Sequence, residues 1–133
     1  MAPNTHRILF ISAAGFNILA GLPMLVVTAK FAELMGLQLN PTATMFIQLT
    51  ACIILVFGGA YWMIARDPAR FRPYIPLGII LKAVVIVVFF GHWLSGSISW
   101  PLPALASGDV IYAVLFWRYY KQTATRIAIG HST

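Results

Sequence analysis

The stretch GIILKAVVIVVFFGHWLSG, from Gly78 to Gly96, constrains the fold more than any other part of the chain. It is almost continuous hydrocarbon, and it matches the roughly 20 apolar residues that a helix needs to cross a bilayer. A soluble domain of 133 residues would have to bury it entirely. The rest of the sequence does not supply the cover, because only 9% of the residues are charged and 60% are hydrophobic. Soluble domains carry about 25% charged residues. The solvent that suits this composition is lipid.

Three more apolar runs accompany this stretch, the last somewhat short and expected to extend at its ends toward Trp100 and Tyr119. The spans fall at about 8–27, 44–65, 75–95 and 103–118. The sequence thus predicts an all-α membrane protein, one domain over 1–133, with four transmembrane helices in an antiparallel bundle. Prolines punctuate the starts: Pro41 before the second run, Pro76 in the third, and Pro101 and Pro103 at the fourth. Proline is tolerated there because the first N–H groups of a helix have no partner. Pro23 lies inside the first span, where it lacks its own N–H and presses on the carbonyl of Leu19, so a kink is expected there. The first run exceeds the 7–15 apolar residues of a signal peptide. Although Val27-Thr28-Ala29 has the form of a cleavage site, a span is the preferred reading. The segment KFAELMGLQLNP, from Lys30 to Pro41, is too short and mixed to cross, and is expected to be an interfacial helix or loop.

Lysine and arginine set the orientation. Arg7 precedes the first span, Arg66, Arg70 and Arg72 lie between the second and third, and Arg118, Lys121 and Arg126 follow the fourth. The other side has only Lys30, close to Glu33. Basic residues mark the cytoplasmic side, so both termini are expected in the cytoplasm, in a bacterial-type inner (plasma) membrane. The net charge of +6 reflects this placement and not a nucleic-acid surface, since no basic stripe with interleaved aromatics is present. Trp93 and Trp100 near one face, and Tyr61, Trp62, Tyr74, Trp117, Tyr119 and Tyr120 near the other, read as aromatic belts at headgroup level. Asp67-Pro68 reads as a cap opening a cytoplasmic turn. The single cysteine, Cys52, excludes an internal disulfide and is expected to be a small buried residue.

A few polar residues fall inside the spans. At 1.5 Å per residue, Lys82 lies about 10 Å from the cytoplasmic end of its helix, and Asn17 and Asp109 about 13 Å. Asn17, Lys82 and Asp109 therefore reach nearly one level on three helices, and form the candidate polar cluster for a ligand or ion, or for linking helices. Gln48 and His92 fall at a second, outer level. Asn17 is flanked by Ala13, Ala14, Ala20 and Gly21, and Asp109 by Ala106, Ser107, Gly108 and Ala113; Gln48, Cys52, Leu55 and Gly59 form a similar stripe. Small residues let helices approach closely in lipid. Lys82 alone can snorkel toward the headgroups, but Asp109 is too short to do so, and an unpaired aspartate at that depth costs a few kcal/mol or more. The short loop between the last two spans makes them neighbours, so Lys82 and Asp109 are expected to meet, with Asn17 donating to Asp109. Because Lys82 retains an escape route, loss of the ammonium is expected to be more damaging than loss of the carboxylate.

What such a cluster does is open to three readings. The leading one is binding or translocation of a small hydrophobic or ionic ligand, an ion or a proton. The second is a non-catalytic subunit of a larger membrane complex, with the cluster holding helices together. The third is a lipid-modifying enzyme using His92 or Asp109. Enzyme activity is the least favoured, because no nucleophile–base pair, phosphate loop or metal-spaced cluster is visible. No cofactor and no metal site is expected. A haem would need a second histidine at membrane depth, whereas His6 and His131 lie in the terminal segments. Stripes of alanine and glycine predict a homo-oligomer or a partner membrane subunit. In size and span number the chain is similar to small multidrug transporters and to DoxX-like membrane proteins. It has Asn17 where the first span of the multidrug transporters carries an acid, and no family motif matches residue by residue.

Overall fold

The computed structural model describes residues 4–132, with the side chains of 131 and 132 outside that description. His131, weighed above as a haem ligand, therefore falls outside the described side chains. The chain forms α1 (Thr5–Val26), α2 (Thr28–Met35), α3 (Pro41–Arg66), α4 (Tyr74–Leu94) and α5 (Pro101–Ser132), with no strand among the described residues. Helices α1, α3 and α4 are long and apolar enough to cross a membrane. The fifth is the longest at 32 residues. It carries Asp109, Arg118, Lys121 and Arg126, which makes it more polar than the other three long helices.

The helix ends have local causes. The Asn40 side chain accepts from the Ala43 N–H at 2.8 Å, and Pro41 follows as the first helical residue, so α3 starts three residues before the expected span. Asp67 closes α3 and its Oδ1 accepts from the Arg70 N–H at 3.1 Å, shaping the turn before α4. Helix α1 runs on past Pro23, and the break comes at Val27, whose N–H donates to the Pro23 carbonyl at 3.0 Å. The segment after it, expected as an interfacial helix or loop, is helical as α2. Gly36 ends α2 with φ +70°, a conformation that glycine adopts without penalty.

Each long helix turns one stripe inward, and the stripes repeat at seven-residue intervals: Phe10, Asn17 and Met24 on α1; Ala51, Gly58 and Ala65 on α3; Ile75, Lys82 and Phe89 on α4; Leu102, Asp109 and Phe116 on α5. A seven-residue repeat keeps one face of a helix against its partners along a bundle. The stripes sort into two apolar cores. One joins Phe10, Tyr61, Ala65, Ile75 and Phe116, and the other Met24, Ala51 and Leu102 with Phe89 against them. Helices α1 and α4 thus run one way, and α3 and α5 the other. Helix α1 starts where the C-terminal half of α5 lies, with the His6 ring 6.3 Å from Tyr119. Helix α1 packs most closely on α3, and α4 on α5.

Three expectations about outward and inward faces are corrected. Cys52 is exposed, one residue and hence about 100° around the helix from the buried Ala51, so it faces outward. The stripe of Gln48, Cys52 and Gly59 is likewise exposed, and α3 packs instead through Ala51, Gly58 and Tyr61. Tyr61 and Tyr119, assigned to a headgroup belt, are buried in the first core, whereas Trp62 and Trp117 are exposed.

Candidate functional site

Between the two apolar cores lies one polar layer. Asn17, Gly58, Lys82 and Asp109 occupy the middle positions of their four stripes. Lys82 Nζ donates to Asp109 Oδ1 at 2.6 Å and to Asn17 Oδ1 at 3.4 Å. Asn17 Nδ2 donates to the Ile54 carbonyl of α3 at 3.0 Å. The amide is thus oriented by α3 and offers its oxygen to the lysine, so Asn17 does not donate to Asp109 as the sequence had suggested. Gly58 leaves room for it: a Cβ there would stand 3.3 Å from Asn17 Cβ.

Lys82 does not snorkel. Its side chain is 2% exposed, and its ammonium lies within 5.2–5.9 Å of the ring centres of Tyr61, Phe16, Tyr112 and Phe116. Ring faces at this distance attract a cation, more so away from water. The carboxylate, the Asn17 oxygen and the four rings together replace the hydration that the ammonium gives up. The rings follow from the same repeat, since Tyr112 and Phe116 lie one and two turns beyond Asp109 on its own face. The spacing Asp109, Tyr112, Phe116 was a signal available in the sequence, and so was Phe16 beside Asn17. Tyr61 carried none beyond its place three residues after Gly58. Gly78 fits beneath it, as a Cβ there would come 2.6 Å from a Tyr61 ring carbon. The Tyr61 hydroxyl is buried and has no hydrogen-bond partner among the described residues.

A cavity of about 40 Å³ adjoins this layer. Asn17, Lys82 and Asp109 form one end, and Met24, Phe31, Phe89 and Leu102 line the other. It is large enough for about two or three waters, since one needs roughly 10–15 Å³ on the same measure. Asp109 is 16% exposed, and only its Oδ1 has a protein donor among the described residues. Phe16 forms part of the cavity wall and also of a surface groove of about 560 Å³ between α1 and α5. Its ring rests on Gly108, where a Cβ would come within 2.6 Å.

Gln48 and His92 do not join a second polar level. Gln48 donates to Thr28 Oγ1 at 3.4 Å, tying α3 to the start of α2. His92 is exposed near the end of α4, ten residues and therefore about 15 Å along the helix from Lys82. His6, near the start of α1, stands at the opposite end of the bundle, so these two histidines share no axial site. Comparison with known proteins gives no matching family model, no matching curated protein and no matching solved structure.

Proposed function

We propose that this chain is a four-span membrane protein that binds and moves a small ligand, ion or proton through the layer formed by Asn17, Lys82 and Asp109. The observation that carries the proposal is the cavity: the buried ion pair borders it, and only one oxygen of Asp109 has a protein donor among the described residues. A pair that served only to hold α4 to α5 would gain nothing from a cavity beside it, because empty space forfeits packing contacts. Ionisable groups at membrane depth mark ligand and ion paths by default.

The proposal places α5 as the fourth span, with its C-terminal end beyond the bilayer. Both termini face the cytoplasm of an inner (plasma) membrane, in keeping with Arg66, Arg70 and Arg72 at that end. It also includes assembly with a second copy, supported by the exposed stripe of Gln48, Cys52 and Gly59 on α3. Native mass spectrometry of the protein released from nanodiscs tests these points. The expected result is a dimer or larger assembly with a bound small molecule, lost on Asp109→Asn. An unliganded chain that co-purifies with a different membrane protein would favour the accessory-subunit reading instead.

A further inference from the structure

We infer that the groove between α1 and α5 seats one acyl chain of an anionic phospholipid, with the lipid phosphate on Arg118 and Gln122. The inference goes beyond the polar layer and rests on the reading of α5 as a membrane span. Three observations carry it, and the first is that the groove must be filled. Helices α1 and α5 meet through rings: Phe10 stacks on Phe116 with centroids 4.8 Å apart, and Phe16 rests on Gly108. Phe10 and Phe116 are fully buried, and the surface groove of about 560 Å³ runs along the two helices beside them. In a bilayer such a space does not stay empty, because bare apolar walls forfeit dispersion contacts.

The second observation is length. Ile8, Ile111 and Leu115 give the groove apolar walls, and Phe16 and Gly108 lie at its inner end. From Gly108 to Arg118 is ten residues, or about 15 Å of helix. One leaflet contributes half of the roughly 30 Å of a bilayer's hydrocarbon. The groove thus runs the depth of one acyl chain, from headgroup level to the middle of the bilayer.

The third is charge. Arg118 and Gln122, one turn apart on α5, line the outer end of the groove. Arg66, Arg70, Arg72 and Lys121 each lie over a ring of this chain. Arg118 is exposed and has no hydrogen bond, ion pair or ring contact among the described residues. No acidic residue lines the groove, so its counter-charge comes from outside the chain. A guanidinium meets a phosphate through two parallel N–H donors, and the Gln122 amide adds another. A second copy in the same orientation would bring Arg66, Arg70 and Arg118 again. The one carboxylate at that end among the described side chains, Asp67, already accepts from the Arg70 N–H. An anionic lipid matches the groove at both ends.

The test uses the full chain in nanodiscs. Phosphatidylglycerol or phosphatidylcholine, each with a diazirine at the end of one acyl chain, is added at equal mole fraction, and crosslinked residues are mapped by peptide mass spectrometry. The expected result is labelling at Phe16 or Ile111 by phosphatidylglycerol, roughly fivefold above phosphatidylcholine, the scale of one basic residue's attraction to an anionic surface. Arg118→Gln is expected to remove the difference, and Lys121→Gln, outside the groove, to leave it. Both side chains are exposed, so neither change disturbs the fold. Equal labelling by the two lipids, or a preference that survives Arg118→Gln, overturns the inference while sparing α5 as a span. Labelling of the exposed Val110 and Val114 with none at Phe16 or Ile111 shows a second copy in the groove and overturns the inference as well. No label anywhere on α5 overturns both the inference and the span.

Discussion

Lys82 Nζ lies 2.6 Å from Asp109 Oδ1, and of the two side chains it is the lysine that is sealed, at 2% exposure against 16% for the aspartate. This reverses the expectation drawn from snorkelling. Asp109→Asn leaves an ammonium enclosed by four rings and an amide, none of which carries a negative charge. Lys82→Met leaves a carboxylate at the cavity wall, where water can reach it. Breaking a buried pair from one side costs about 3–5 kcal/mol, and Asp109→Asn is expected to lie at that level with Lys82→Met below it. The double variant should recover part of the loss. A double-mutant cycle on unfolding in nanodiscs measures the coupling, and additivity within a few tenths of a kcal/mol would show that the pair does not act as one.

Glycines on the two faces of the bundle should respond in opposite ways. At Gly78 a new Cβ would meet the buried Tyr61 ring at 2.6 Å, and the ring is held by Phe57 and Phe116. Gly78→Ala is expected to destabilise by about 1–3 kcal/mol, the usual cost of overpacking. At Gly59 nothing lies within 4 Å. Gly59→Ala should be neutral or gain up to about 1 kcal/mol from helix propensity. Unfolding midpoints of the two variants, measured side by side, decide the matter.

Orientation can be read chemically. Ala69 lies in the exposed turn between α3 and α4, next to Arg70. In a Cys52→Ala background, Ala69→Cys should be protected from a membrane-impermeant thiol reagent in intact cells and become reactive once the membrane is permeabilised. Rapid labelling in intact cells would invert the topology.

Arg72 fastens the far end of α5. It donates to Thr123 Oγ1, and to the Tyr120 carbonyl at 2.9 Å, with its guanidinium 4.2 Å from the centre of the Tyr120 ring. Hydrogen bonds to charged groups contribute about 1.5–3 kcal/mol. Arg72→Ala should therefore raise hydrogen exchange at residues 120–126 by roughly tenfold or more. Arg66→Ala, whose guanidinium stacks on Trp62 of its own helix, should leave that segment unchanged.

The sequence revealed element existence well and sidedness poorly, for one physical reason. In water, apolar residues mark the inward face of a helix. In lipid both faces are apolar, and the hydrophobic period fades. Only residues that lipid tolerates badly then signal the inward face, and Asn17, Lys82 and Asp109 could be found because they are costly anywhere else. Their seven-residue spacing from Phe10 and Met24, Ile75 and Phe89, and Leu102 and Phe116 was present throughout, but no contrast with the lipid-facing positions exposed it. Tyr61 was misplaced because depth along a helix does not say which way a residue turns. Cys52 was misplaced because a thiol meets lipid without penalty. The cavity had no signature at all, since it is made of what four helices fail to fill.

Helix α5 has a mechanical meaning as well. Its 32 residues span about 48 Å, well beyond the roughly 30 Å of a bilayer's hydrocarbon. No proline or break interrupts it after Pro103, so Asp109 and Thr123 sit on one stiff rod, about 21 Å apart. The Arg72 clamp and the Gly108–Phe16 contact touch this rod at two points. Held at both and packed along α4, the rod ties the position of its C-terminal part to that of Asp109. A displacement of the C-terminal end of α5 would then arrive at Asp109 as a change in how firmly the carboxylate meets its lysine.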